Sequence, residues 1–261
     1  MNIKFAHLLD CAISSARKAG THALHNFSRR SQVVKTFQHD IKLQLDIECQ
    51  SKASSVIRSA FPEHDILGEE DIGHPLESNN RRAEYQWIID PIDGTVNFFH
   101  GLTNWCCSVA VMYNGVTVAG AVYLPVLDHL YTATADQPAM MNNSRIEVSQ
   151  TGKLADSMVL TGLDRYPDPA IPPFAIFQNI SLRAQKTRIM GSAAADLCQV
   201  AAGIADGYYE SGIFIWDIAA AGLIVERAGG KTQALKVESN HRLAFLATNG
   251  RIHSELLDIV E

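Results

Sequence analysis

The stretch that most constrains this chain is Trp87-Ile88-Ile89-Asp90-Pro91-Ile92-Asp93-Gly94-Thr95, running on through Val96 to Gly101. Its first three residues form a short β-type apolar run, the end of a buried strand. The next six show no apolar periodicity. Pro91 fixes φ and removes a backbone donor, while Gly94 permits a sharp bend or a positive φ. Two carboxylates three residues apart, on a stiff turn leaving a buried strand, converge on one point. There each raises the other's pKa unless a cation holds both ionised. Asp and backbone carbonyl oxygens suit hard cations such as Mg²⁺. Without that cation the same residues read as a polar β-turn, since Asp, Pro and Gly are ordinary turn formers. Asp217 is a second charged outlier, wedged between Trp216 and the run Ile218-Ala219-Ala220-Ala221, where an unpaired carboxylate is costly to bury. It reads as a helix N-cap, which is compatible with ligation because one oxygen can cap while the other binds a metal.

A chain of 261 residues can bury a full core as one domain, here with an α+β half over about 1–140 and an α/β half over about 141–261. Its 47% hydrophobic and 19% charged residues are ordinary for a globular protein. The net charge of −6, with no offsetting Lys/Arg cluster, argues against a nucleic-acid footprint. Five cysteines without regular spacing fit a reducing compartment better than a disulfide framework. No apolar run reaches the length of a signal peptide or a membrane span, so a cytoplasmic location with no membrane partner is expected.

In chain order, Lys4 to about Phe27 reads as an amphipathic helix with Phe5, Leu8, Leu9, Ala12, Ile13 and Ala16 on one face. His22 and His25 have no third ligand nearby in sequence and read as surface histidines. Val33–Gln38 is strand-like, and 46–60 is a second helix with Ile47, Val56 and Ile57 inward. Asp65–Gly68 is a strand delivering Glu69 and Glu70, and 73–82 is a loop. Runs at 105–113, 116–123 and 129–133 suggest an antiparallel meander. In the second half, strands are expected at 158–161, 187–190 and 243–248, and helices at 174–184, 193–202, 217–228 and 252–260.

Asp90-Pro91-Ile92-Asp93-Gly94-Thr95 resembles the first signature of the inositol monophosphatase family, metal-dependent sugar and polyol phosphatases. Trp216-Asp217 through Gly222, running on to Ala228-Gly229-Gly230, resembles the second, and Gly68-Glu69-Glu70 resembles a third element. The likeness runs from about Lys35 to the C-terminus. It implies an α+β fold, a layered αβαβα sandwich. It also implies two or three Mg²⁺ ions: Glu69, Asp90 and the Ile92 carbonyl for the first, Asp90, Asp93 and Asp217 for the second. Thr95 resembles the residue that orients the attacking water, with Glu70 and Asp46 as acceptors behind it. Asp93, Gly94, Thr95 and Asp217 lie where phosphate binds. Gly191, Ser192, Ala193 and Glu210 resemble the residues that select the substrate's polyol.

The implied activity is hydrolysis of a phosphate monoester, foremost myo-inositol monophosphate, by a metal-activated water. Fructose 1,6-bisphosphate, a 3′-phosphoadenosine nucleotide and histidinol phosphate are the enzymatic alternatives, and a non-catalytic transcription-factor-binding role is the third class. Family likeness also implies lithium inhibition and a homodimer, the latter supported by the apolar run 105–112. Departures from the family's pattern occur at Asp40-Ile41-Lys42-Leu43-Gln44, at Val96, and at Phe214 with Ile215. None removes a proposed metal ligand.

Overall fold

The structure, a computed structural model, describes residues 3–36, 41–71, 84–163, 174–238 and 240–261. The expected loop at 73–82, the end of the first expected strand and Asp40 lie outside these residues. The strands are β1 Val33–Thr36, β2 Ile41–Leu43, β3 Asp65–Gly68, β4 Tyr85–Asp93, β5 Cys106–Tyr113, β6 Val116–Leu124, β7 His129–Thr134, β8 Gln137–Met141, β9 Ser144–Arg145, β10 Met158–Thr161, β11 Lys186–Arg188, β12 Gly207–Phe214, β13 Lys231–Val237 and β14 Arg242–Thr248. The helices are α1 Ile3–His25, α2 Gln44–Ala60, α3 Thr95–His100, α4 Ala175–Arg183, α5 Ala193–Ala201, α6 Ile215–Arg227 and α7 His253–Val260. None is long and apolar enough to cross a membrane.

Side-chain alternation along the strands decides the architecture. A seven-stranded sheet runs β3-β4-β5-β6-β7-β8-β9, antiparallel except for the parallel pair β3–β4. A five-stranded sheet runs β11-β10-β12-β14-β13, with β10 parallel to both neighbours. Successive residues of a strand face opposite sides of its sheet. On β4, Trp87 and Ile89 therefore face α1 and α2, while Ile88 joins α5 and α6. On β12 and β14, Tyr208 and Phe245 face those same helices, while Tyr209 and Leu246 face α4 and α7. Three cores separate five layers, in the order α1/α2, large sheet, α5/α6, small sheet, α4/α7. This is the αβαβα sandwich.

Helix α1 lies close to its neighbours because its inner face is small: Ala12, Ser15, Ala16, Ala19 and Ala23 are all buried. In α2 the inner face is Leu45, Asp46, Cys49, Ala53 and Ile57. Ile47, expected to point inward, is exposed because it lies about 100° per residue round the helix from that stripe. The apolar run 105–112 is consumed by the core. Trp105, Cys106, Cys107, Val109 and Val111 are fully buried between the sheet and its flanking helices, so the run offers no dimer surface. The strands β2, β8, β9, β12 and β13 were not anticipated. They are short or interrupted, and β13 is largely polar.

The middle helical layer approaches the large sheet closely at Gly120, where a β-carbon would lie 2.9 Å from the Cα of Ala220 in α6. Gly120→Ala should therefore wedge α6 off the sheet and destabilise the fold by about 1–3 kcal/mol. Urea denaturation at fixed Mg²⁺ checks this, and an unchanged midpoint would refute the contact.

Candidate active site

Asp90 and Asp93 do not leave β4 on a turn. The strand continues to Asp93, and its register explains why the two carboxylates meet. Asp90 pairs with Ser108 and Asp93 with Cys106, three steps on β4 against two on β5. In a regular strand, residues three apart face opposite sides, but one extra residue in a bulge restores both to one side. Pro91 fits here because a bulge frees it from donating to the ladder. Gly94 follows at φ +90, a left-handed conformation, and turns the chain into α3.

Each acid is then tied to backbone. Asp90 Oδ1 accepts the Ile92 N–H at 3.1 Å. Asp93 sits at the N-terminus of α5. Its Oδ2 accepts from Ser192 Oγ at 2.6 Å and Ala194 N at 2.7 Å, while Oδ1 accepts the longer bond from Ala193 N at 3.2 Å. Asp217 Oδ2 accepts the Phe214 N–H at 2.7 Å. That bond corrects the sequence reading. Helix α6 begins at Ile215 with the extended Phe214 as N-cap, so Asp217 is the third residue of the helix and reaches back to close its start. In α2, Asp46 does the same for the Leu43 N–H at 2.7 Å.

Among the described residues, Asp90, Asp93 and Asp217 bring ligand oxygens within 4.8 Å of one another. They line one cleft with Glu69, Ile92, Gly94, Thr95, Leu163, Glu210, Ser211, Gly212, Ile213, Phe214 and Trp216. Burial, then the charges of Glu69, Asp93 and Asp217, pushes the Asp90 carboxyl well above the usual carboxylate range. Burial also raises Asp93, and Ser192 and the α5 N–H groups pull it partly back. Acids held so far from ionisation are a poor resting state without cations, and a carboxylate cluster with a carbonyl at its edge matches the oxygen donor set of Mg²⁺.

The remaining expected residues are placed as follows. The Thr95 hydroxyl donates to the Ile92 carbonyl at 3.0 Å. Glu70 forms an ion pair with Lys42. Asp46 is buried and adds its charge to the field at Asp90. Gly191, Ser192 and Ala193 are not among the cleft-lining residues; Ser192 and Ala193 instead hold Asp93. Asn97 was not anticipated. Its Nδ2 donates to the carbonyls of Asn104 at 2.7 Å and Met190 at 2.8 Å, fixing the turn before Gly191 that presents α5 to Asp93. Along the cleft wall, Glu210 was expected, whereas Ser211, Gly212 and Ile213 beside it were missed. The Tyr208-Tyr209 pair before Glu210 was the available strand signal.

The sequence profile of the inositol monophosphatase family matches residues 5–259. A protein of Pasteurella multocida named Nus factor SuhB is 38% identical over 226 residues, covering 85% of this chain and 83% of that one. A Thermotoga maritima protein named fructose-1,6-bisphosphatase/inositol-1-monophosphatase is 35% identical over 255 residues, covering 97% and 95%. Among solved structures, an inositol monophosphatase from Anabaena superposes with a TM-score of 0.85 at 33% identity, covering 98% of this chain and 96% of that one.

A carboxyl whose pKa is raised by folding contributes stability that is present below its unfolded value and lost as pH rises towards the folded one. In EDTA the protein should therefore lose thermal stability as pH rises above about 4, and Mg²⁺ should restore it. Asp90→Asn should flatten that pH dependence, raise the midpoint in EDTA at pH 8, and abolish the Mg²⁺ gain. Thermal melts across pH with and without Mg²⁺ decide it, and a lower midpoint for the variant in EDTA would reject the account.

Proposed function

The chain belongs to the inositol monophosphatase family, and from that we propose that it hydrolyses the monophosphate ester of a neutral polyol, foremost myo-inositol monophosphate, in a Mg²⁺-dependent reaction. The observation that carries this reading is the charge of the cleft. Glu69, Asp90, Asp93, Glu210 and Asp217 line it, and its described lining includes no Lys, Arg or His. An anionic ester can settle among these acids only with cations between them. Among the described lining residues, a second phosphate would meet Glu210 and no basic side chain. This favours a monophosphate over the bisphosphate and nucleotide alternatives.

Glu69, Asp90, the Ile92 carbonyl, Asp93 and Asp217 would hold Mg²⁺, with Asp90 shared between ions. Bound Mg²⁺ supplies Lewis acidity to the phosphoryl oxygens and makes the attacking water more acidic. Thr95 directs that water. Its proton is committed to the Ile92 carbonyl, so its lone pairs are left to accept from the water and fix its orientation. Glu70, set in place by Lys42, and Asp46, set by the Leu43 N–H, are acceptors behind Thr95. The Gly94 and Thr95 N–H groups receive phosphate oxygens. Ser192 and Ala193 act through Asp93, Gly191 turns the chain into them, and Glu210 receives substrate hydroxyls.

A second reading, a protein-binding role, is supported by the relative named Nus factor SuhB. Binding alone does not require a buried carboxylate cluster, so the role would stand beside catalysis.

A panel of inositol 1-phosphate, fructose 1,6-bisphosphate, 3′-phosphoadenosine 5′-phosphate and histidinol phosphate, assayed with Mg²⁺, tests the reading. Inositol 1-phosphate should be turned over best, with uncompetitive inhibition by millimolar LiCl. Asp90→Asn should lower the rate by about a thousandfold. Undiminished turnover in excess EDTA, or in that variant, would reject the metal-dependent mechanism.

A further inference from the structure

Strand β12 places Tyr208 and Glu210 two residues apart, hence on the same side of the small sheet. Tyr208 is fully buried in the core between the two sheets, and its hydroxyl donates to Glu210 Oε2 at 2.5 Å. Glu210 itself lines the cleft. Gly162 closes the carboxylate from another side, since a β-carbon there would lie 2.0 Å from its carboxyl carbon and Oε1. The carboxylate thus sits in a slot made by a buried phenol and a residue with no side chain. Burial, with the charge of Glu210 added, pushes the Tyr208 phenol well above its usual range, so the hydroxyl keeps its proton and remains the donor.

We propose that Tyr208, with the gap at Gly162, is a specificity-determining positioning residue that sets Glu210 to read the hydroxyls of the substrate alcohol. The inference rests on the phosphatase reading above. A carboxylate offers about four acceptor positions, and the bond from Tyr208 occupies one of them and fixes its rotation. A buried phenol does this with little entropy loss, because packing already holds the ring. The phosphate end depends on β4, α5 and α6 instead. Tyr208 therefore acts on esters that carry hydroxyls and is silent towards those that do not.

The test compares inositol 1-phosphate with phenyl phosphate at saturating Mg²⁺. For Tyr208→Phe, the KM for inositol 1-phosphate should rise about tenfold with kcat within about twofold. The ratio of kcat/KM values, inositol 1-phosphate over phenyl phosphate, should fall by the same factor. Gly162→Ala, which crowds the carboxylate from its other side, should lower that ratio in the same direction and serves as the readout should the first variant fail to fold. Equal losses on both esters, or an unchanged ratio in a folded variant, would overturn the proposal. Wild-type protein inert on both esters would overturn the phosphatase reading and this inference with it.

Discussion

Three carboxylates around one buried point are the constraint on which the rest of the site depends. An unpaired buried charge costs several kcal/mol, against a folding margin of about 5–15 kcal/mol for a whole domain. The cluster persists because a backbone N–H is dedicated to each acid: Ile92 for Asp90, Ala193 and Ala194 for Asp93, and Phe214 for Asp217. These donors come from three separate elements. The site is therefore a property of the assembled layers and not of any one segment.

Helix starts supply much of that compensation. Asp93 receives the N-terminus of α5, and Asp217 and Asp46 each reach back over the first turn of their own helix. Helix N-termini carry partial positive charge and orphan N–H groups, so each placement partly offsets the repulsion in the cleft. It also stiffens the ligands. Asp93 Oδ2 is occupied by short bonds from Ser192 and Ala194, which leaves Oδ1, with its single longer bond, as the oxygen with capacity for a cation.

Much of this was legible in the sequence, for identifiable reasons. The Asp-Pro-Ile-Asp-Gly-Thr run stood out because charge, Pro and Gly interrupt an apolar strand, and it does carry two of the clustered acids. What failed was geometry that depends on a partner. The run was read as a turn because β4's register with β5 is invisible locally, and only the bulge puts Asp90 and Asp93 on one side. Asp217 looked like an N-cap because sequence cannot show that the helix begins two residues earlier, at Ile215. The apolar run 105–112 looked like surface for a partner. In fact apolar residues on both of its faces are needed, because the sheet is covered by helices on both sides. Ser192 and Ala193 were expected at the substrate and instead hold a proposed ligand. That role requires knowing that α5 meets the end of β4 across about a hundred residues of chain.

The division of labour between the two sheets follows from the same layering. The acids proposed for metal and phosphate follow β3 or sit on β4 and at the start of α6, with the start of α5 holding Asp93. The far wall of the cleft, from Glu210 to Phe214, belongs to β12. There the register with β14 shifts between Ser211 and Ile213, and Gly212 stands at φ +82. A bulge re-aims side chains without altering the strands around it. Residues of this wall can therefore change what the cleft accepts while leaving the carboxylate cluster in place. Trp216 links the two ends, stacked on Phe214 at 4.8 Å and next in sequence to Asp217. Substitutions along β12 should alter selectivity with little effect on the metal ligands as far as Ile213, and begin to disturb both at Phe214, whose N–H holds Asp217.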